Sequence, residues 1–301
     1  MDNLSVFIMC HNRPRETREA IRSVLAQTDR NFTLTISDNS TTDEVETLVR
    51  SEFPQLSYVR HRPPTPDHIN RCIQAARTSH VCVFHDDDLM GADFVADMRH
   101  AIQRFPQAAA IGSNAIIEEF GIANRYPSFR ARHTFRVLHS PHDLAACYFS
   151  RHQLGIAPFP GYVYNRQHAI ATPFPTGGGK YADVTWLLSL AHRGLIVWVN
   201  KPLITYRLHG GNDGKNESRR DRLRFLRFLK SNVNWLGRDI LDDYRCSFIY
   251  KPVVRQQPEN SPGRQRTAMA FLRTYAWRRY ARLSTYTAAI RRAWIKALTS
   301  R

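Results

Sequence analysis

Residues 81–88 read VCVFHDDD, an apolar run that ends in three consecutive aspartates. Residues 81–84 have the composition of a buried strand, so Asp86, Asp87 and Asp88 follow directly on the end of that strand. Three neighbouring carboxylates repel one another unless a positive group lies among them. A divalent metal that also holds a phosphate-bearing ligand meets this need, and the pattern therefore indicates an enzyme. Three solvated aspartates in a loop are the alternative.

Strand-like and helix-like stretches alternate before this run. Residues 4–9 and 32–37 are apolar and β-rich, whereas residues 14–27 carry apolar side chains at helical spacing. Strands separated by single helices predict an α/β fold with a mainly parallel sheet. Because ligands bind where such strands end, Asp38, at the end of the second strand, is expected beside the aspartate triplet. Asp38 also suits a turn or helix cap, and both roles can coexist.

The formal net charge of +17 is concentrated in one part of the chain. Residues 1–214 hold 22 Lys and Arg against 20 Asp and Glu, whereas residues 215–301 hold 21 against 6. A near-neutral body followed by a basic segment predicts a catalytic domain and an element that contacts an anionic surface. The chain lacks both an apolar run long enough to span a membrane and the build of a secretion signal at its start. These features predict a cytosolic protein.

The basic segment mixes cationic and aromatic side chains. Apolar residues alternate with Arg and Lys from Arg219 onward, and residues 271–298 combine Trp and Tyr with further basic residues. Helices of this composition are typical of anionic membrane surfaces. The same residues could bind nucleic acid, which would make the chain a nucleic-acid-binding protein, or they could form a protein-interaction arm. The near-neutral body and its acidic crevice count against nucleic acid.

Four blocks of sequence, in order, resemble the inverting GT-A glycosyltransferases of family 2. They are VFIMCHNRPRETREAIRSVLAQT, NFTLTISDNSTTDE, FHDDDLMGADF and KYADVTWLLSLAHRGLIVWVNKPLITYRLHGGN. The resemblance implies a Rossmann-like GT-A domain over residues 1–214, with a nucleotide-sugar half at 1–115 and an acceptor half at 116–214. Residues 215–301 would follow as a basic, mostly helical region. A nucleotide-sugar donor and Mn²⁺ or Mg²⁺ are implied as ligand and cofactor.

The resemblance also implies roles for individual residues in donor and metal binding. Donor contacts fall on Cys10, Asn12, Arg13, Asp38 and Asp86, and metal ligands on Asp87, Asp88 and His209. Asp38 matches a position that accepts a hydrogen bond from the base, which suits the ring N3–H of uracil and makes a UDP-sugar the expected donor. His85 stands where relatives carry an acid, and two frames of the triplet satisfy the family spacing, so the principal ligand stays open. His209 has a structural role as its alternative.

Asp183 matches the general base of the family, which takes the proton from the acceptor hydroxyl as that oxygen attacks the anomeric carbon. An Asp at this position could instead cap a helix. Processive relatives carry a Gln-x-x-Arg-Trp motif and membrane spans, so without them we expect one sugar per encounter. The irregular region 120–180 is expected to form a loop-rich acceptor site. The expected acceptor is a glycan or lipid-linked glycan, such as a lipopolysaccharide intermediate, at the cytoplasmic face of the inner membrane.

Overall fold

A computed structural model of the chain describes residues 4–119, 121–148, 155–209 and 218–245. The strands found in these residues are β1 (Leu4–Cys10), β2 (Phe32–Asp38), β3 (Ser57–Arg60), β4 (His80–His85), β5 (Leu89–Met90), β6 (Ala108–Glu119), β7 (Ile122–Pro127), β8 (Phe135–Leu138), β9 (Tyr162–Asn165) and β10 (Leu195–Leu208). The helices are α1 (Pro14–Leu25), α2 (Glu44–Glu52), α3 (His68–Ala75), α4 (Phe94–Arg104), α5 (Pro141–Tyr148), α6 (Arg166–Ala171), α7 (Ala182–Ala191), α8 (Arg219–Ser231) and α9 (Val233–Leu236).

One mixed sheet contains all of these strands. Its order is β3-β2-β1-β4-β9-β6-β10-β5, with β7 beside β6 and β8 beside β10. Strands β3, β2, β1 and β4 run parallel, as do β6 and β10. Strand β9 is antiparallel to both of its neighbours, β4 and β6. The prediction of an α/β fold with a mainly parallel central sheet is confirmed.

The central strands are apolar on both faces because helices cover the sheet. Every residue of β1 except Met9 is buried, and β4 is buried from His80 to Phe84. In the sheet register, Cys10 lies opposite Asp38, and Met9 lies opposite His85. The carboxyl ends of β1, β2 and β4 are therefore level, and the polar residues that follow them meet at one edge.

The region 120–180 is more regular than its Pro and Gly content predicts. Within its described residues lie β7, β8, β9 and the helices α5 and α6. Strand β9 is only four residues long, too short to show a period, and pairing on both sides together with burial of Tyr162 and Tyr164 stabilises it. The expectation of a loop-rich region was wrong for these residues.

The described residues divide into two compact units. The first takes those within Met1–Pro141 and Ile156–Glu217, and the second those within His142–Gly155 and Ser218–Arg301. In the second unit, Ser218 and Asp221 form a capping box that begins α8, and Phe225 packs against Tyr244 with ring centroids 4.9 Å apart. None of the described helices is long and apolar enough to cross a membrane. The predicted helical stretch 271–298 lies outside the described residues.

Gly91 allows the chain to pass close to β10 immediately after the aspartate triplet. Its N–H donates to the Leu203 carbonyl at 2.7 Å, and a Cβ at this position would lie 2.8 Å from that same oxygen. Gly91→Ala is therefore expected to lower the free energy of unfolding by about 1–3 kcal/mol, because backbone has to move. The matched control is Gly177→Ala, whose Cβ would meet no atom within 4 Å. Equal thermal melting of the two variants would contradict this account.

Candidate active site

The three aspartates turn inward at the carboxyl end of β4, and each makes different contacts. Asp86 is 2% exposed, Asp87 7% and Asp88 1%, so none is a solvated loop carboxylate. The backbone N–H of His11 donates to Asp86 Oδ2 at 2.9 Å, and that of Arg207 donates to Asp88 Oδ1 at 2.9 Å. The ends of β1 and β10 therefore position the triplet through their backbones.

An arginine and a histidine lie beside Asp87 and Asp86. The Arg13 guanidinium contacts Asp87 Oδ2 and lies 3.5 Å from Asp86 Oδ1. His209 Nε2 lies 3.1 Å from Asp87 Oδ2. The structure thus brings the predicted residues Arg13 and His209 to the triplet, where the Arg13 guanidinium offsets part of its negative charge.

Burial and neighbouring charges shift the pKa values of the three carboxyl groups in different directions. Burial raises the pKa of Asp86 to about 7, and it raises the pKa of Asp88 well above the usual range, with Asp87 adding to the effect. Burial acts in the same direction on Asp87, but His85, Arg13 and the hydrogen bond from His209 bring its pKa below the usual value. An added cation would favour the ionised form of all three.

A divalent metal fits this cluster. Ligand atoms of His85, Asp87 and Asp88 all lie within 4.8 Å of one another. Asp88 Oδ2 is fully enclosed and has no hydrogen-bond partner in the described part of the chain, with His85 Nδ1 4.0 Å away. A buried carboxylate oxygen without a partner is costly unless a ligand satisfies it. Oxygen-rich sites of this kind suit Mg²⁺ or Mn²⁺.

Asp38 is fully buried at the end of β2. Its Oδ1 accepts the N–H of Ser40 at 2.8 Å, and its Oδ2 accepts the hydroxyl of Tyr58 at 2.6 Å. The Arg60 guanidinium also lies near, with Nε 3.7 Å from Oδ2. The bond to Ser40 is the turn cap that the sequence allows, and the contact with a base stays a prediction.

The turn after β1 is built around Asn12, which has a positive φ of 53°. Asn tolerates this conformation better than most residues. Its Oδ1 accepts the backbone N–H of Thr41 at 2.9 Å, which ties the ends of β1 and β2 together. Cys10, by contrast, is fully buried, and burial raises the pKa of its thiol well above the usual value. If Cys10 contacts a donor, it does so through its backbone.

Asp183 lies in the first turn of α7, one residue beyond its start, and Tyr181 occupies the N-cap position. Its Oδ1 accepts the N–H of Val184 at 2.8 Å. Burial raises the pKa of Asp183 to about 6. Asp183 is therefore not the N-cap residue of α7. Its carboxyl group keeps a proton up to a higher pH than an ordinary aspartate does.

Tyr206 lies within electrostatic range of both Asp183 and the triplet. Burial raises the pKa of Tyr206 to about 12, and the negative fields of Asp88, Asp87 and Asp183 add to the effect. The ring of Phe159 likewise lies 5.9 Å from that of His85 and 6.0 Å from that of Trp186, which follows Asp183 on α7. The candidate base and the aspartate cluster therefore border one site.

Residues 5–154 match the model of Glycosyl transferase family 2. The chain belongs to glycosyl transferase family 2. The prediction of a family 2 enzyme with the GT-A fold is confirmed. A search of curated proteins found no match to this glycosyltransferase.

Solved structures of TarS from S. aureus share the fold of this glycosyltransferase. The longer TarS structure has 13% identity and a TM-score of 0.59, covering 83% of this chain and 43% of its own. TarS 1-349 in complex with UDP-GlcNAc has 12% identity and a TM-score of 0.64, covering 91% and 81%. TarS 1-349 in complex with UDP has 13% identity and a TM-score of 0.56, covering 95% and 90%. The chain thus spans less than half of the longer TarS structure.

Three contributors to the site of this glycosyltransferase were missed by sequence reasoning. His85 was interpreted as a lost acid, yet its ring belongs to the cluster with Asp87 and Asp88. Arg207 donates from Nε to the Asp87 carbonyl and pairs with Glu19 on α1. In the sequence, only the position of Arg207 two residues before His209 could have indicated its role, and no local motif indicated Glu19.

Proposed function

We propose that this glycosyltransferase moves one sugar from a nucleotide-diphosphate donor, a UDP-sugar, to an acceptor hydroxyl with inversion at the anomeric carbon. The observation that carries the proposal is the metal-competent cluster at the end of β4, together with the half-buried carboxyl group of Asp183, whose pKa is raised, in the first turn of α7. Inverting transfer needs both parts: charge stabilisation at the leaving group and a base on the opposite face.

Asp87 and Asp88 would hold the metal, with His85 or the predicted ligand His209 completing the set. The enclosed and partnerless Asp88 Oδ2 supports this assignment. A bound Mn²⁺ or Mg²⁺ would supply positive charge to the departing nucleoside diphosphate. Arg13, whose guanidinium lies beside Asp86 and Asp87, would be available to bind a phosphate oxygen of the donor.

Asp183 acts as the base. A carboxylate with a pKa of about 6 is ionised at pH 7 and still has an appreciable affinity for the proton of an attacking hydroxyl. Its hydrogen bond from Val184 orients Oδ1 and leaves Oδ2 for the acceptor. The choice of UDP is supported by the shared fold with TarS, which was solved in complex with UDP and UDP-GlcNAc.

The acceptor that we propose is a lipid-linked glycan on an anionic membrane surface. Its support is the basic exposed side of α8, formed by Arg219, Arg220, Arg224, Arg227 and Lys230. Flotation with vesicles containing anionic lipid, compared with RNA binding at raised salt, tests this part. Binding to RNA but not to anionic vesicles would favour the nucleic-acid alternative.

A donor panel tests the proposed activity directly. Release of nucleoside diphosphate is measured for UDP-, dTDP-, GDP- and CDP-sugars, each with Mn²⁺, with Mg²⁺ and with EDTA. We expect turnover with a UDP-sugar and a metal ion, and loss of turnover in EDTA that added metal restores. Full turnover in EDTA would contradict the metal assignment, and preference for another nucleotide would contradict the donor assignment.

The pH dependence of kcat provides an independent prediction. Because burial raises the pKa of Asp183 to about 6, the base is ionised above that pH and protonated below it. We therefore expect kcat at saturating Mn²⁺ to fall about tenfold per pH unit on the acid side of pH 6. In Asp183→Glu the inflection should move while the metal requirement stays. A flat profile down to pH 5 would contradict this role.

A further inference from the structure

The side chain of Asn70 on α3 binds the backbone of Phe174 at two points. The Phe174 N–H donates to Asn70 Oδ1 at 2.7 Å, and Asn70 Nδ2 donates to the Phe174 carbonyl at 3.0 Å. Asn70 is 8% exposed. The two residues are 104 positions apart in the sequence, and Phe174 lies in the stretch between α6 and α7. One buried amide therefore satisfies both backbone groups of a residue in that stretch.

Asp67 fixes the orientation of this amide. Asn70 Nδ2 carries two protons, and Asp67 Oδ1 accepts the second of them at 2.6 Å. If the amide were turned over, its NH₂ group would face the Phe174 N–H, and its oxygen would face the Phe174 carbonyl and the Asp67 carboxylate. Every group at this contact would then lose its partner. The donor and the acceptor of Asn70 therefore both hold Phe174.

The same stretch is also bound to α7. Trp186 Nε1 donates to the Thr172 carbonyl at 2.6 Å, and the ring of Trp186 meets that of Phe174 edge to face with centroids 5.4 Å apart. Trp186 is 1% exposed. Because Asp183 lies three residues earlier on α7, the two side chains share one face of the helix. Residues 172–174 therefore link α3 to the face of α7 that carries the candidate base.

The segment that joins Phe174 to α7 has little stiffness of its own. It contains three consecutive glycines, Gly177, Gly178 and Gly179. A Cβ at Gly177 would meet no atom within 4 Å, and Gly179 has a positive φ of 62°. Glycine restricts the backbone less than any other residue. The conformation of this segment therefore depends on how its ends are held, and Asn70 holds the first end.

We propose that Asn70 is a positioning residue for the base, because its bonds to Phe174 hold the residues next to α7 and so fix where Asp183 lies. Helix α3 leads, through residues 76–79, into β4, the strand that ends at the aspartate triplet. Asn70 therefore ties the base-bearing helix to the same α/β unit that carries the metal-competent cluster. This inference rests on the proposed function and deepens it. A displacement of about 1 Å between reacting groups can lower a rate about 100-fold.

Hydrogen exchange and kinetics of Asn70→Ala test this role. The Phe174 N–H loses its acceptor, so we expect exchange in peptides covering residues 172–181, measured without ligand, to become about tenfold faster. We expect kcat for nucleoside diphosphate release from a UDP-sugar at saturating Mn²⁺ to fall about 10- to 100-fold. The affinity for UDP in calorimetric titration should stay within about twofold of the parent chain, because the aspartate cluster is unchanged.

Two further variants make the test specific. Asn31→Ala removes the amide of an exposed asparagine that donates to Asp29 at 2.9 Å, and it should exchange and turn over as the parent chain does. Trp186→Phe keeps an aromatic ring and removes the bond to Thr172. Because both anchors hold one stretch, kcat of the double variant Asn70→Ala/Trp186→Phe should fall by less than the product of the two single effects. Should Asn70→Ala not fold, Asn70→Leu, which preserves the volume without hydrogen bonds, takes its place.

The outcomes separate this inference from the proposed function. Unchanged exchange at residues 172–181 in Asn70→Ala would overturn the inference, and so would faster exchange with kcat at the parent value. Loss of UDP affinity with unchanged kcat would place the effect of Asn70 on the donor, which also overturns it. In each of these cases the parent chain still releases nucleoside diphosphate, so the proposed function stands. If the parent chain released none from any donor, the proposed function would fail, and the inference with it.

Discussion

Asp183→Asn is expected to reduce kcat by a factor of about 100 to 10,000, the range that general base catalysis contributes. Asparagine has nearly the same shape as aspartate and can still accept the N–H of Val184, so α7 should keep its first turn. It cannot take a proton from the acceptor hydroxyl. Single-turnover transfer measures the loss, and calorimetric titration of UDP with Mn²⁺ should show an affinity within about twofold of the parent chain.

The control for Asp183→Asn is Asp93→Asn, an exposed aspartate paired with Lys201. This variant makes the same chemical change outside the cluster and should transfer at the parent rate. If Asp183→Asn turned over at the parent rate, Asp183 would not be the base. If it also lost UDP binding, its role would be to shape the donor site.

Asp88→Asn is expected to abolish metal-dependent transfer and yet to stabilise the metal-free protein. Its enclosed Oδ2 has no partner among the described residues, so a neutral amide removes a buried charge. Because the folded-state pKa of Asp88 lies well above its unfolded value, folding at pH 7 either buries that charge or takes up a proton. The resulting penalty grows with pH from about 4, the unfolded pKa of aspartate, up to the raised folded-state pKa, and Asn removes it.

Thermal melting with and without Mn²⁺ checks both halves of this prediction. The parent chain should gain stability from Mn²⁺, and Asp88→Asn should not, while without metal the variant should melt higher at pH 7 and equally at pH 4. We expect turnover to fall by at least about 100-fold, since charge stabilisation of the leaving group is lost. A metal-induced rise in melting temperature for Asp88→Asn would show that Asp88 is not a ligand.

The nucleotide half of the fold could be predicted from sequence because its signals are local. Strands β1 and β4 are largely apolar runs, β2 alternates apolar residues with Thr and Ser, and α1 begins at Pro14 and buries one face of regularly spaced side chains. A strand of seven residues or a helix of twelve shows its period over its own length. Strand β9 does not, because four residues carry no period and its place between β4 and β6 depends on partners elsewhere in the chain.

The aspartate triplet in the site was likewise only partly predictable from the sequence. Its position at a strand end followed from adjacent residues, and so did the inference that a cation belongs there. Adjacent residues did not show which aspartate oxygen is free to bind that cation. Arg207 reaches Glu19 across 188 residues of sequence, and its backbone N–H occupies one oxygen of Asp88 while leaving the other enclosed and unpaired.

For Asp38 and Asp183 the sequence predicted the position, and only the fold determined the chemical state. The sequence showed that each of them is an aspartate at the end of a strand or the start of a helix, since local pattern and spacing determine this. Their chemical states depend on burial and on distant neighbours: Tyr58 and Ser40 occupy Asp38, whereas burial brings the pKa of Asp183 to about 6. Local sequence thus decided the kind of enzyme and the edge of the sheet at which it works. Only the packed fold decided which carboxylates can react, because desolvation and hydrogen bonding act through space and not along the chain.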